Sequence, residues 1–445
     1  MIASVGRMMR KGGGGLVWPK GLKESIKAWY DPKKQGLTNY DVIESYAEDF
    51  SKFPWNNKKE KYTGTLTPNT LTITNVAVTS ALIYTNSKPE NFKVYITGIK
   101  DNQQVIFGDD TSTYRALIVE KDGVYDVNWE DNHHSYCTWC NFLGDCNITI
   151  TQLPTSILKD LSGNGNHAYL YGGKCKLNSG MGVYQQDFSK LIISRVDKKQ
   201  DPFSFTVSGS GGSYLAYMQL GNWNNKAFKI LVNINAEGDY LHLRFRNNTD
   251  AVITRVALKN GENIIPAQNI EGATKAVFEY SLKEGETITI TQIPDYPDQL
   301  CYDGGMCAVA YEFPILTDYT IIADRTWFDI RDISCFIGKR NGSGDNLGAF
   351  EFEFRANKTF SFGGDNNIIF ADNNIVYQTK NSYNGAEIKS GSLDDTDVLI
   401  IGAAQRNVND KAQDPYIGCH STIIVADRSF TEDEITWLKD NLFRK

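Results

Sequence analysis

The residues best suited to holding a metal ion lie in one short stretch, His133-His-Ser-Tyr-Cys-Thr-Trp-Cys-Asn-Phe-Leu-Gly-Asp-Cys146. Its three cysteines and two histidines are side chains that zinc prefers, and Cys137 and Cys140 have the C-x2-C spacing of many zinc sites. Side chains alternate between the two faces of a strand, so Cys137 and Cys140 converge only if the chain turns between them. We expect packed or solvent-facing thiols here, with a zinc site as the alternative hypothesis.

A second candidate metal site is the loop Asp160-Leu-Ser-Gly-Asn-Gly-Asn-His167. The side-chain oxygens of Asp160 and Asn164 are hard ligands of the kind that calcium takes. Gly163 and Gly165 equally permit a tight turn in which these two side chains bond the backbone instead. We expect the turn, with calcium as the alternative, and we predict that the protein needs no cofactor.

A pair of carboxylates, Glu351 and Glu353, alternates with phenylalanine in Glu351-Phe-Glu-Phe-Arg355. Both fall on one face of a strand, and such neighbours can approach the separation of about 5–5.5 Å that retaining glycoside hydrolysis requires. The same alternation is typical of any half-buried strand. Because the sequence shows no convincing nucleophile–base pair and no phosphate-binding loop, we predict that the chain is not an enzyme.

Loops rich in asparagine, aspartate, glycine and aromatic residues are the remaining candidates, since sugars are bound by polar side chains and stacked on rings. Trp223 lies between asparagines and is a candidate for stacking on a sugar ring. The other candidate glycan ligands are Asp345, Asn346, Asn366 and Asn407. Turns use the same residue types, so none of these loops is specific for a ligand.

Composition predicts that these residues belong to a folded, β-rich chain. Of the 445 residues, 41% are hydrophobic and 22% are charged, which excludes a disordered chain. The 22 Phe, 23 Tyr and eight Trp favour strands. A net charge of −7 without a basic stripe argues against nucleic acid as a partner. No apolar run approaches the roughly 20 residues needed to cross a bilayer, so no membrane contact is predicted.

An internal repeat divides the chain. Two segments recur in the same order: Phe92-Lys-Val-Tyr-Ile-Thr-Gly-Ile99 as Phe228-Lys-Ile-Leu-Val-Asn-Ile-Asn235, and Asn147-Ile-Thr-Ile-Thr-Gln-Leu-Pro154 as Thr287-Ile-Thr-Ile-Thr-Gln-Ile-Pro294. Threonine alternating with isoleucine predicts half-buried antiparallel strands. We therefore predict two related small β-sandwiches, module 1 over residues 66–155 and module 2 over residues 202–296. Module 2 has neither cysteine nor histidine in the part equivalent to 133–146, so this fold does not require a metal.

The pieces outside the modules, 19–65, 156–201 and 297–445, are predicted to form one discontinuous domain. Its motifs are Ser25-Ile-Lys-Ala-Trp-Tyr-Asp31, Leu158-Lys-Asp-Leu-Ser-Gly-Asn-Gly-Asn-His-Ala168, Tyr319-Thr-Ile-Ile-Ala-Asp-Arg-Thr-Trp327 and Ser421-Thr-Ile-Ile-Val-Ala-Asp-Arg428. In these residues the chain resembles the concanavalin A-like, laminin-G-like jelly rolls. The resemblance implies an all-β fold, a concanavalin A-like jelly-roll sandwich interrupted by the two modules. In hydrolases of that family a third acid follows the carboxylate pair, whereas this chain has Arg355-Ala-Asn357.

A short closing helix completes the predicted fold. Thr431 and Glu434 have the spacing of a capping box, in which the threonine caps the helix and the glutamate reaches back. Ile435, Leu438 and Leu442 then form one apolar stripe at helical spacing. We expect this helix to dock on the sandwich.

The start of the chain, residues 1–18, is predicted to be a docking arm, with a frayed tail as the alternative. Gly12 to Gly15 follow three basic residues, and glycine loses the most backbone entropy on ordering, so the arm is expected to order only on a partner. No apolar stretch follows that would make a secretory signal. Extracellular-type β domains combined with such an arm resemble the head or tail fibre and appendage proteins of tailed phages of gut bacteria.

This second resemblance implies a non-enzymatic structural protein at the surface of a phage particle. Its implied partners are other virion proteins of the capsid or tail, bound through residues 1–18, and a host-surface glycan. Fibres are usually symmetric, so a homodimer or homotrimer is expected. The alternative is a lectin-like, glycan-binding protein of a bacterial cell surface, and the third hypothesis is a glycoside hydrolase using Glu351 and Glu353.

Overall fold

The structure is a computed structural model. It describes residues 16–52, 63–76, 80–85, 87–109, 113–133, 135–140, 144–174, 176–193, 198–209, 212–235, 241–267, 270–329, 333–339, 350–355, 359–361, 368–369, 374–387, 396–406 and 412–443. In these ranges the chain folds mostly into antiparallel sheets, with one longer helix near its end. The predicted all-β sandwich fold is confirmed.

The elements follow one another in five runs. The first run is α1 (Leu22–Ser25), β1 (Ile26–Tyr30) and α2 (Pro32–Gln35). The second is β2 (Thr63–Leu66), β3 (Thr70–Val76), β4 (Ser80–Thr85), β5 (Phe92–Thr97), β6 (Val105–Gly108), β7 (Arg115–Val119), β8 (Gly123–Val127), β9 (Tyr136–Cys140) and β10 (Gly144–Gln152). The third is β11 (Ile157–Leu158), β12 (Ala168–Tyr171) and β13 (Gly180–Val183).

The fourth run is β14 (Ile192–Ile193), β15 (Lys198–Gln200), β16 (Ser204–Ser208), β17 (Gly212–Gln219), β18 (Phe228–Asn235), β19 (Leu241–Arg246), β20 (Val252–Ala257), β21 (Gly261–Ile265), β22 (Lys275–Leu282) and β23 (Thr287–Ile293). The fifth is β24 (Asp295–Asp303), β25 (Cys307–Ala310), β26 (Thr320–Asp329), β27 (Ile333–Lys339), β28 (Phe350–Arg355), β29 (Thr359–Ser361), β30 (Ile368–Ile369), β31 (Asn374–Thr379), β32 (Ser382–Tyr383), β33 (Ala386–Glu387), β34 (Leu399–Ile401), β35 (Gln405–Arg406), β36 (Ala412–Gln413), β37 (Ile417–Ala426) and α3 (Glu432–Leu442).

Two eight-stranded sheets form the sandwich that carries both modules. The front sheet has the order β13-β24-β37-β26-β31-β32-β33, with β1 paired to β37, and the back sheet has the order β11-β12-β25-β34-β27-β28-β29-β30. Their facing side chains share one core, which includes Tyr30, Tyr302, Phe336 and Ile401. The central strands β26 and β37 are apolar on both faces because helix α3 covers the outer face of the front sheet.

Helix α3 begins at the predicted capping box. The hydroxyl of Thr431 accepts a hydrogen bond from the backbone N–H of Glu434 (3.3 Å), and the Glu434 carboxylate accepts one from the N–H of Thr431 (2.9 Å). Ile435, Leu438 and Leu442 are buried against the front sheet. The predicted closing helix and its apolar stripe are therefore confirmed. None of the helices in the described ranges has the length and hydropathy to cross a membrane.

The end of the predicted docking arm lies on the sandwich. Trp18 packs against Trp437 of α3, with ring centroids 5.0 Å apart, and against Trp29 of β1 at 6.4 Å. Residues 1–15 lie outside the described residues, so docking of the arm on another virion protein stays a prediction. Its last residue, however, belongs to the packed body of the protein.

The two modules share one topology, strand by strand. Their first sheets have the orders β2-β3-β10-β5-β8 and β15-β16-β23-β18-β21. Their second sheets have the orders β4-β9-β6-β7 and β17-β22-β19-β20, the latter extended by β14. The repeated motif lies in β10 and β23, where Ile148, Ile150, Ile288 and Ile290 are all buried. The predicted repeat of two related β-sandwiches is confirmed, while the residue boundaries of the units stay predictions.

The repeat extends further upstream than the segments matched in the sequence. Asp49-Phe-Ser-Lys52 and Asp187-Phe-Ser-Lys190 each contain a short 3-10 turn ahead of a module. In both, the aspartate accepts a hydrogen bond from the backbone N–H of the serine, and the phenylalanine is buried in the core of the module. This tetrapeptide repeat was a sequence signal for where each module begins.

A buried glutamine at the end of each module bonds to this upstream turn. The side chain of Gln152 accepts from the N–H of Glu48 (2.9 Å) and donates to the carbonyl of Glu48 (2.8 Å). Gln292 makes the same two bonds with the backbone of Gln186, at 2.9 and 2.7 Å. Each module is therefore closed at its base by one amide that joins the incoming and outgoing chains.

Candidate functional site

The predicted zinc ligands do not come together. Cys137 lies on β9 and Cys146 on β10, which belong to the two opposing sheets of module 1. His133 stacks on Tyr114, with ring centroids 3.8 Å apart. The side chain of Cys140 lies outside the described residues. Among the side chains that the structure describes, no group of three or more His, Cys, Asp or Glu is placed to hold a metal. Because the side chain of Cys140 is not among them, the zinc alternative stays a prediction.

Asp160 bonds the backbone instead of presenting its oxygens to calcium. Its carboxylate accepts from the N–H groups of Trp29 (2.9 Å), Ser162 (2.9 Å) and Asn166 (3.1 Å). It also accepts from the Ser162 hydroxyl (2.8 Å). Asn164 donates through Nδ2 to the first carbonyl of β1 at 2.7 Å. The expected turn is present, and the calcium alternative for Asp160 and Asn164 is corrected because their polar atoms hold the loop on β1.

Trp223 is a core residue of module 2. Its side chain is only 7% exposed, and its ring packs edge-on against Phe228 (5.5 Å) and Phe245 (5.7 Å). A buried ring offers no face to a sugar, so its assignment as a stacking residue is corrected. The predicted ligands outside the described residues are Asp345, Asn346, Asn366 and Asn407, together with the side chains of Glu351 and Glu353.

A cleft of ≈ 300 Å³ lies where module 1 meets the sandwich. Its apolar wall includes Phe92 at the start of β5, Leu153 just after β10 and Tyr169 of β12. Its polar lining is Asn91, Lys93, Asp126, Asn128 and His167. This volume is at the lower end of the range of small-ligand pockets, and an apolar wall with a few convergent polar groups is their usual composition.

Strand register places the charged pair of the cleft. Lys93 on β5 lies directly opposite Asp126 on β8, and the lysine Nζ is 2.5 Å from Oδ1 of the aspartate. Their side chains remain 42% and 57% exposed, so the pair contributes little to folding stability. Asn91 accepts a hydrogen bond from the N–H of Trp129 (2.9 Å), which fixes its amide at the cleft. Both charged groups are therefore accessible to a ligand.

The Asp160 loop brings His167 to the cleft. The Nδ1 atom of His167 accepts a hydrogen bond from the backbone N–H of Asp160 (3.0 Å), so Nε2 carries the proton of the neutral ring. Tyr169 follows on β12, where burial raises the pKa of its phenol to about 12. The phenol therefore keeps its proton at neutral pH. His167 and Tyr169 add an imidazole and a phenol to the lining.

Together these groups suit a ligand with many hydroxyl groups. The ammonium of Lys93 and the imidazole of His167 can donate hydrogen bonds, and the carboxylate of Asp126 can accept them. The side-chain amides of Asn91 and Asn128 can do both. The apolar wall provides a surface for the C–H face of a sugar ring. The arrangement is one for polar recognition of an uncharged or weakly charged molecule.

Sequence reasoning missed this cleft because its residues come from distant segments, 91–93, 126–128 and 167–169. Each segment is ordinary alone, and only the pairing of β5 with β8 and the docking of module 1 bring them together. The one available signal was His167, which ends the Asp160 motif. The motif itself is structural, but it positions a residue of the cleft.

No protein-family model matches the chain, and no curated protein matches it in sequence. Among solved structures, the sialidase of Trypanosoma rangeli in complex with sialic acid is similar at 10% identity and a TM-score of 0.24, covering 86% of this chain and 84% of the sialidase. A mutant of that sialidase displaying trans-sialidase activity has 8% identity and a TM-score of 0.22, covering 91% and 98%.

These similar structures are those of an enzyme, and the prediction that this chain is not an enzyme finds no support in the comparisons. At a TM-score of 0.24 the likeness carries no argument for a particular activity, substrate or active-site residue.

Proposed function

We propose that this chain is an attachment protein that binds a surface glycan in the cleft between module 1 and the sandwich. The cleft itself carries the proposal. It combines an apolar wall with Asn91, Lys93, Asp126, Asn128 and His167 in a volume of ≈ 300 Å³, which fits one or two sugar rings. The amides of Asn91 and Asn128 and the carboxylate of Asp126 suit a sugar, because each can bond two neighbouring hydroxyls.

The setting that we propose for this binding is the surface of a phage particle, as a head or tail appendage. Its support is the sequence resemblance and the arm at residues 1–18, which would dock on a capsid or tail protein. A homodimer or homotrimer belongs to this proposal because such appendages are usually symmetric. A lectin-like protein of a bacterial surface is the alternative, and it would use the same cleft without binding to particles.

The cleft is tested by a double variant, Asp126→Asn with Asn128→Ala, measured on a glycan array and then by calorimetry with the glycan found. Both side chains are exposed, so the fold should remain intact. We expect at least about a tenfold loss of affinity, since two hydrogen-bonding partners are removed. The matched control is Glu262→Gln with Asn233→Ala, an acid and an asparagine exposed on module 2.

Two outcomes contradict the proposal. One is a full-length protein that binds no glycan on the array, and the other is a cleft variant that binds as tightly as the control variant. Association of the full-length chain with phage particles, compared with a chain lacking residues 1–15, separates the appendage from the bacterial lectin.

A further inference from the structure

The outward face of the sheet β14-β17-β22-β19-β20 in module 2 carries a group of cations, here named the basic face. Its members are His242, Arg244 and Arg246 of β19, Arg255 of β20 and Lys275 of β22. On β19 these side chains alternate with three buried apolar residues, so all three point away from the core of the module. The basic face is on module 2, whereas the cleft described above is formed by module 1 and the sandwich.

Strand pairing brings these cations next to one another. Arg244 lies directly opposite Arg255, and Arg246 lies directly opposite Lys275. The carboxylate of Glu279 is 3.0 Å from Nη1 of Arg244 and 2.5 Å from Nη2 of Arg246, so it orients both guanidinium groups. Arg244 and Arg246 are 16% and 18% exposed, so they form the ordered base of the basic face, and Arg255 is its exposed member.

The basic face has the opposite sign to the chain as a whole. Its four permanent cations, Arg244, Arg246, Arg255 and Lys275, are accompanied by the two anions Glu279 and Asp250, the latter paired with Lys275. The sum for these described residues is 4 − 2 = +2, on a chain of net charge −7. Burial lowers the pKa of His242, and the nearby Arg244 and Arg255 lower it further.

Folding does not require this arrangement. Like charges directly opposite each other on antiparallel strands are destabilising, and Arg244 opposite Arg255 is such a pair. On the corresponding strands of module 1, β6 and β7, the outward pair is Ile106 opposite Ile118. The same topology thus forms without a pair of arginines at this position, and a local rule broken in one copy alone points to a ligand.

We propose that the basic face binds the acid groups of an anionic polysaccharide, such as sugar carboxylates. Arginine forks match carboxylates in shape, and the ring of Tyr217 lies 5.7 Å from Nζ of Lys275 on the same sheet. A nucleic acid fits less well, because affinity for a duplex grows with the number of phosphates that a protein neutralises, and four cations, two of them paired with Glu279, neutralise few. This site is separate from the cleft and stands without it.

The test uses the full chain and polygalacturonate, a polymer of carboxylated sugars, with uncharged dextran as the comparison. We expect polygalacturonate binding that weakens about tenfold or more when NaCl is raised from about 50 to about 200 mM, and no binding of dextran. Arg255→Ala should weaken binding about threefold and Arg255→Glu about tenfold, because a charge at a solvent-exposed contact is removed or reversed. Arg255 is exposed, so both variants should fold, as circular dichroism will verify.

Lys229→Ala is the matched control, because it removes one exposed positive charge from the other sheet of module 2. The proposal is overturned if polygalacturonate does not bind, if Arg255→Glu binds as well as the native chain, or if Lys229→Ala weakens binding as much as Arg255→Ala. Equal affinity for a DNA duplex overturns the choice of an acidic glycan. The cleft variant Asp126→Asn with Asn128→Ala should keep its polygalacturonate binding, which separates failure of this site from failure of the cleft.

Discussion

Modules 1 and 2 have the same strand order but use their outer faces in different ways. In module 1, Tyr95 of β5 packs on Tyr311 of the sandwich, with ring centroids 4.5 Å apart. Glu312 of the sandwich accepts a hydrogen bond from the N–H of Val124 on β8 (3.0 Å). In module 2, the repeat places Leu231 where module 1 has Tyr95, and Leu231 is 45% exposed. A few outward side chains therefore decide whether the first sheet of a module packs on the sandwich at this position or is exposed there.

The second sheets of the modules differ as well. Module 2 presents the basic face there, whereas the paired residues at the corresponding strands of module 1 are Ile106, which is buried, and Ile118, which is exposed. The two modules share features of their interior, namely the buried isoleucines of the repeated motif and the buried glutamine that closes the base of each module. The core and the closing amide therefore define the module, while its outer faces can differ in what they contact.

The largest expected effect comes from the core of one module. Phe278 is fully buried between Phe188 (5.8 Å) and Phe205 (5.4 Å) in module 2. Phe278→Ala should lower the free energy of unfolding of module 2 by about 3–5 kcal/mol through lost burial and a cavity. Urea unfolding followed by hydrogen exchange should show protection lost in β15–β23 and kept in β2–β10.

The exposed Ser281, on the same strand, supplies the control Ser281→Ala, which should change the unfolding free energy by less than about 0.5 kcal/mol. If Phe278→Ala destabilises β2–β10 as strongly as β15–β23, the two modules do not unfold separately. The comparison between them would then have to be made for the whole chain.

A smaller effect is expected from the amides that close the modules. Gln152→Leu and Gln292→Leu each leave a backbone N–H and a carbonyl, those of Glu48 or Gln186, without their buried partner. Each variant should lower the unfolding free energy by about 1–3 kcal/mol. The two losses should agree within about 1 kcal/mol if the closing amide has the same role in both copies, because the paired bonds are the same. A loss of unfolding free energy in only one of the two variants would show that only that module depends on its closing amide.

The elements that the sequence predicted well are those whose signal is local. Threonine–isoleucine alternation in Asn147–Pro154 and Thr287–Pro294 showed the repeat, because burial of one face leaves a period of two in the sequence. The capping box of Thr431 and Glu434 marked the start of α3 for a similar reason, since its bonds join residues three apart.

The predictions that failed depended on what lies beside a residue in space. Trp223 looked exposed because asparagines flank it, yet its ring packs on Phe228 and Phe245. The cleft could not be predicted, because Lys93 and His167 are brought together only by the docking of module 1. The basic face was also not predicted, because its charges are spread over three strands and the net charge of the whole chain is negative. Pairing register, which a single sequence does not display, creates both sites.

Tyr95 and Leu231 occupy equivalent positions of the repeat, and substitutions at the two should differ in their effect on the free energy of unfolding. Tyr95→Ser removes a ring packed on Tyr311 and should lower the unfolding free energy by about 1–2 kcal/mol, with faster hydrogen exchange along β8. Leu231→Ser removes an exposed side chain and should cost less than about 0.5 kcal/mol. Equal losses would mean that Leu231 is covered in solution by another surface, and a change in oligomer mass in Leu231→Ser would identify that surface as a second copy. Unequal losses, in the expected order, would establish that docking through this position of the repeat is a property of module 1.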